Sequence, residues 1–264
     1  VTRLEGKKHR DGLLQCNKCR EQFTVTVGTV FERSKIPLNK WLLCNHLLCA
    51  GKKGVSAHQI HRMLGVTYKT AWFMCHRIRE AMKPTDDGPL GGFTKFVEVD
   101  EMFVGGSESK QAYRKVAPKK VVVSLIERGG KARSFHIANV HARTIRALIV
   151  TNVDRHSHLM SDKSRVYTEV GREFSTHHSV DHRIEYARDG DIHSNTAENF
   201  FSIFKRGLIG TYHHMSEAHL HRYTAEFDFR YNTKDISDRE RADIALKGIA
   251  GKRLTYRRTA ALAA

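Results

Sequence analysis

Between Asn195 and Leu208 the chain shows two faces. Asn195, Glu198, Ser202 and Lys205 recur at spacings of three, four and three, which makes one polar stripe. Ala197, Phe201, Phe204 and Leu208 make the opposite, apolar stripe. The pattern predicts a helix over 194–208 that holds a carboxylate, an amide and a lysine on one side. Taken alone, such a stripe is as well read as a solvated face with a stray ion pair.

The same reading places the other elements. Lys95–Val104, Lys120–Ile126 and Ala132–Val140 read as three strands, separated by Gly105-Gly106 with a polar, basic loop (107–118) and by Gly129-Gly130. Thr144–Thr151 suits a helix, His158–Asp162 a short fourth strand, and Lys163–Phe174 another helix. Helices follow over 216–231 and 238–249. Three hairpin-linked strands, then helix, strand and helix, predict an α/β fold: a mixed sheet flanked by helices. There is no internal repeat.

Upstream the pattern changes. Residues 38–83 are helical and basic. Leu38–Ala50 has helical apolar spacing and ends at Gly51 and Gly54. Ser56 and Thr67 are candidate caps of two short helices joined through Gly65, the pattern of a helix-turn-helix. Lys69, Thr70, Arg77 and Arg79 fall on its second helix, where a DNA reader would carry them. An ordinary helical hairpin with a basic face is the competing reading. Residues 1–35 carry strand-like alternation around Cys16-x-x-Cys19. A tetrahedral zinc site needs four ligands, so this segment reads as half of a zinc ribbon whose first Cys pair lies before Val1. A metal-free hairpin is the alternative. The resulting divisions are a partial zinc ribbon (1–35), a helix-turn-helix domain (36–84), a linker rich in Pro and Gly (85–94), a sheet domain (95–235) and a C-terminal helix with a basic tail (236–264).

Composition sharpens the picture in one respect. In 264 residues Lys and Arg number 45 against 28 Asp and Glu, a formal charge of +17. A polyanion is the natural partner and nucleic acid the first expectation. No apolar run suggests a membrane span or a signal peptide. Five cysteines, with one Cys-x-x-Cys, suit a reducing cytoplasmic setting, with nucleoid association expected from the charge.

Two acids fall at strand ends, Asp100 and Asp162, and Glu198 opens the striped helix. If the first and fourth strands are neighbours, Asp100 and Asp162 meet at the sheet edge, and the helix can add Glu198. Close carboxylates repel unless a cation offsets them, and hard oxygen ligands select Mg²⁺ or Mn²⁺. Glu98 and Glu101 are neighbouring alternatives; strand alternation puts Glu98 on the face of Asp100 and Glu101 on the other. Six histidines (His177, His178, His182, His193, His213, His214) surround these positions, but their spacing fits no standard zinc set.

Val97–Gly106, Ser161-Asp162, His193-x-Asn195-x-x-Glu198-x6-Lys205-Arg-Gly207 and Gly210-Thr-Tyr-His-His214 together resemble the bacterial insertion-sequence DDE transposases of the ISXO-like group. The resemblance covers nearly the whole chain. It implies an RNase H-like catalytic domain, cleavage of the element's terminal inverted repeats and strand transfer into target DNA with a divalent metal. It makes Asp100 and Asp162 the metal-binding aspartates, Glu198 the third acid and Lys205 an accessory lysine. Asn195 is a rival to Glu198, because this group is described with either residue type. Tyr212, His213 and His214 are candidate DNA contacts, and a homodimer or larger synaptic assembly is implied.

Overall fold

The computed structural model describes residues 1–84, 88–105, 119–180 and 193–255. Its strands in chain order are β1 (Thr2–Arg3), β2 (Leu14–Gln15), β3 (Gln22–Phe23), β4 (Phe96–Val104), β5 (Lys120–Glu127), β6 (Ala132–Ile137), β7 (His158–Asp162) and β8 (Thr176–Val180). Its helices are α1 (Leu38–Ala50), α2 (Ala57–Leu64), α3 (Tyr68–Met82), α4 (Ala142–Asn152), α5 (Arg165–Gly171), α6 (Asn195–Gly207), α7 (Glu217–Asn232) and α8 (Asp238–Lys247). They fall into two units. One comprises residues 1–50, 56–83 and 238–264, the other residues 51–55 and 84–237. The polar loop 107–118 and His182 lie outside the described residues.

In the first unit the capping expectations are met. The Ser56 hydroxyl accepts from the Gln59 N–H, the Thr67 hydroxyl accepts from the Thr70 N–H, and Gly65 takes the left-handed conformation at φ 58° between α2 and α3. The last helix, α8, belongs to this unit. The Asn45 amide donates to the Ala242 carbonyl at 2.9 Å, and Arg241 donates to the Cys49 carbonyl at 3.0 Å.

The second unit is built on a five-stranded mixed sheet in the order β6-β5-β4-β7-β8. β4, β5 and β6 run antiparallel in turn, while β4 with β7 and β7 with β8 are parallel. Both faces are covered, which is why Val121-Val122-Val123 reads as a continuous apolar run. Val97, Val99, Val121, Val123 and Leu125 pack with Ile145 and Ile149 of α4 and Tyr167 of α5. Met102, Val104, Val122 and Ile126 pack on the other side with Phe200, Phe201 and Phe204 of α6 and Phe227 of α7. Leu90, within the segment that composition reads as a linker, is buried in the first of these layers and bridges Val153.

The periodicity gave no sign of β8. Its sequence, Thr-His-His-Ser-Val, is polar, and among the described residues it pairs with β7 alone. Side-chain bonds tie it to β7: His158 Nδ1 lies 2.7 Å from the Thr176 hydroxyl, and Ser161 Oγ lies 2.9 Å from His177 Nε2. Gly171 closes α5 directly over the His177 ring, where a Cβ would come within 2.2 Å of it.

A buried acid joins α7 to β6. Asp228 accepts from the Ser134 N–H at 2.8 Å and the Ser134 hydroxyl at 2.6 Å. Burial pushes its carboxyl up to about 7, against the opposing pull of the two Ser134 bonds. The folded chain therefore keeps a proton that the unfolded chain releases near 3.8. This works against folding not at all below about pH 4, increasingly up to about pH 7, and by a constant amount of the order of 4 kcal/mol above that. Asp228→Asn should therefore gain stability relative to the parent as pH is raised from about 4 to about 8. Denaturant midpoints measured across that range test this, and a pH-independent difference would refute it.

Candidate functional site

The site begins with the register of two parallel strands. Val97 pairs with Leu159 and Val99 with Ser161, so the register sets Asp100, which lies mid-strand in β4 rather than at the strand end that the sequence predicts, beside Asp162, the last residue of β7. β4 and β7 are neighbours at the centre of the sheet, and the two acids meet where their parallel pairing runs out. Asp100 Oδ1 accepts from the Glu101 N–H at 2.8 Å, and Asp162 Oδ1 from the Ser164 N–H at 3.1 Å. Burial drives the Asp100 carboxyl up to about 7, and the charges of Glu101, Asp162 and Glu198 push the same way. Glu101, on the opposite face, accepts from the hydroxyl of the fully buried Tyr167, and burial raises its carboxyl as well.

Glu198 is brought to these acids by α6, and α6 is anchored from the sheet. The Ser194 hydroxyl makes no capping bond to the helix backbone. Instead the Glu98 carboxylate, fully buried on β4, accepts from the Ala197 N–H at 2.9 Å and from the Thr196 hydroxyl at 2.9 Å. A carboxylate is favoured at a helix N-terminus by both the free N–H groups and the helix dipole. Arg128, at the end of the neighbouring hairpin, donates from Nε to Glu98 at 2.6 Å and from Nη2 to the His193 carbonyl at 2.6 Å. Glu98 thus serves as a tertiary cap. Sharing the face of Asp100 and an unfilled local cap were the only sequence hints of it.

Asp100, Glu101, Glu198, Ser202, Lys205 and Arg206 line one cleft of about 830 Å³. The polar stripe of α6 therefore faces the acids from Glu198 onward. Asn195, at the exposed first residue of the helix, is outside the cleft lining. An all-oxygen set with Asp100 strained toward its neutral form suits a hard divalent cation. Among the described residues no three His, Cys, Asp or Glu side chains converge on one point. Mg²⁺ is held by as few as one or two carboxylates, the rest of its shell being water and substrate phosphate; Asp100 lines this cleft, and Asp162, its register neighbour, is outside the lining.

The other candidates separate into two groups. Lys69 is exposed at the start of α3 with Thr70 beside it, and His213 and His214 are exposed. Arg77 and Arg79 are turned inward, contrary to the expectation of an outward DNA-reading face: they are 8% and 2% exposed. Arg77 donates to the carbonyls of Leu254 at 3.0 Å and Glu32 at 3.1 Å. The reason is that α3 packs against α1, α2 and α8, so little of it past the first turn stays free. Tyr212 is also engaged internally, its hydroxyl donating to the buried Glu226 at 2.6 Å. The Cys16 thiol is held below its usual range, chiefly by the N–H of Cys19 and next by that of Lys18. Two sulfurs are half a tetrahedral zinc set, and among the described residues no further ligand joins them.

Residues 89–232, more than half of the chain, match the profile of the ISXO2-like transposase domain, and the chain belongs to that family. An uncharacterised protein in the transposable element ISH50 of Halobacterium salinarum is 28% identical over 238 residues, covering 81% of this chain and 76% of that one. Among solved structures, the paired-end complex of Mos1 transposase with the left transposon end aligns over 83% of this chain and 77% of its own, at 10% identity and a TM-score of 0.33. Among the described residues no helix is long and apolar enough to cross a membrane.

Proposed function

We propose that this chain is an insertion-sequence transposase that binds the terminal inverted repeats of its element, cleaves a DNA strand there and joins it to target DNA. The observation that carries the reading is the gathering of Glu198 and Lys205, on one face of α6, into the cleft of Asp100. The strand order supports an RNase H-like fold, since the hairpin β4-β5-β6 and the parallel β7 and β8 meet with β4 at the centre.

In this reading Asp100, Asp162 and Glu198 are the three acids, and the first two hold Mg²⁺ or Mn²⁺. Such ions, when bound, activate the attacking oxygen and stabilise the leaving one in phosphodiester displacement. The chain's own residues do the rest. Glu98 and Arg128 fix where α6 begins, so Glu198 presents its carboxylate at a set distance from Asp100. Lys205, two turns along the same face, holds a phosphate of the scissile strand as a point charge. Lys69, His213 and His214, which are exposed, and the half-buried Thr70 are the candidates for contacts to the DNA ends. Arg77, Arg79 and Tyr212 are structural in this account. Cys16 and Cys19 carry no step. A homodimer brings the two ends together.

The test is incubation with labelled duplex carrying the element's terminal repeats, Mg²⁺ or Mn²⁺, and an unlabelled target plasmid. The expected products are strands cut at the repeat end, then molecules joined to target. Cutting without joined molecules would replace this reading with a nuclease of the same fold. Binding with neither product would reduce it to a DNA-binding protein.

A further inference from the structure

We propose that Lys53 is a phosphate-binding residue of the catalytic cleft, supplied by a segment remote in sequence from every acid of the site. The inference rests on the transposase reading above and extends it to how the substrate backbone is held. Residues 51–55 lie in sequence between α1 and α2, yet they belong with the sheet unit. Their placement is fixed by two close approaches. Gly54 has φ +92°, and a Cβ there would lie 1.8 Å from the Tyr212 hydroxyl, so the tyrosine ring occupies the space of the missing side chain. Gly207 ends α6, and its Cβ would lie 2.8 Å from the Lys53 carbonyl oxygen, so the Lys53 backbone is seated directly on the helix. The tyrosine is itself held, because its hydroxyl donates to Glu226, which also accepts from Arg230.

The consequence is that Lys53 lines the same cleft as Asp100, Glu198, Lys205 and Arg206. The residue is exposed, and among the described residues it enters no ion pair. A DNA strand approaching this cleft meets three carboxylates, those of Asp100, Glu101 and Glu198. Lys205 and Arg206 offset them from α6, and Lys53 adds a third cation from a separate segment. Two grips from different elements fix the path of a backbone where one helix alone leaves it free to swing. Lys52, its neighbour, is exposed but outside the cleft lining, which makes it the matched control.

The experiment measures binding and cleavage of terminal-repeat duplex by the full chain across a salt series. Lys53→Ala is expected to weaken binding about tenfold and to flatten the log–log salt slope by about 0.9, the loss of one phosphate contact. Cleavage should slow in parallel, while the thermal midpoint stays at the parental value. Lys53→Arg should restore slope and rate, and Lys52→Ala should match the parent. A parental slope and rate in Lys53→Ala would overturn the proposal, as would equal losses in Lys53→Ala and Lys52→Ala. Asp100→Asn in the same series separates the two levels. If the parent cleaves and Asp100→Asn does not, a null result at Lys53 counts against this inference alone. If the parent does not cleave, the transposase reading falls first.

Discussion

Asp100→Asn is expected to lower strand cleavage by at least about a thousandfold while leaving the protein as stable as the parent, or more so, at neutral pH and above. The substitution keeps shape and removes charge. In the folded chain that charge is disfavoured, with burial first and Glu101, Asp162 and Glu198 after it pushing the carboxyl up to about 7. A group whose folded value exceeds its unfolded value of 3.8 costs stability as pH rises between the two. Removing it therefore relieves the fold above neutrality. Loss of activity together with gained stability marks a carboxylate kept for chemistry rather than packing. The comparison is made on the same preparations, by gel assay of labelled terminal-repeat duplex and by thermal melting. Cleavage within tenfold of the parent would remove Asp100 from the centre and, with it, the assignment of Asp162 made through the β4–β7 register.

How far such a centre can be read from residues alone depends on whether its signal is local. The stripe of α6 is local, since three- and four-residue spacing puts Glu198, Ser202 and Lys205 on one face whatever the tertiary structure. The caps Ser56 and Thr67 are local for the same reason. The strands β4, β5 and β7 were legible because each carries strand-forming apolar residues that the sheet buries, Val97 and Val99 in β4, Val121, Val122 and Val123 in β5 and Leu159 in β7. β8 was not, because its side chains are histidines, serine and threonine, and its pairing is decided by a neighbour rather than by its own pattern. Arg77 and Arg79 were misread for a related reason. Their charges suggest an outer face, but carbonyls from Glu32 and Leu254 give Arg77 a buried set of acceptors that no spacing within α3 reveals. Lys53 belongs with them: only the packing of Gly54 and Gly207 brings it to the cleft.

The Glu98–Arg128 pair is where the non-local information is most concentrated, and disrupting it should be nearly as damaging as removing an acid. Glu98 is fully buried and Arg128 largely so, at 2.6 Å. Breaking a buried pair by removing one member leaves an uncompensated charge and costs about 3–5 kcal/mol. Arg128→Met does this and also releases the His193 carbonyl at the entry to α6. Glu98→Gln leaves Arg128 without its counter-charge and weakens the bonds to Ala197 and Thr196 that start the helix. Both single variants should melt about 10 °C below the parent. Well below that melting temperature, cleavage should still fall about a hundredfold, because the origin of α6 is no longer fixed and Glu198 loses its set distance from Asp100. The double variant Glu98→Gln/Arg128→Met should recover part of the melting temperature, since no unpaired charge is left. It should recover none of the activity, since the helix start is still unpinned. That split between stability and rate distinguishes a positioning role from a purely structural one, which requires both to recover together. Double-variant activity restored in step with its melting temperature would show that the pair only holds the fold.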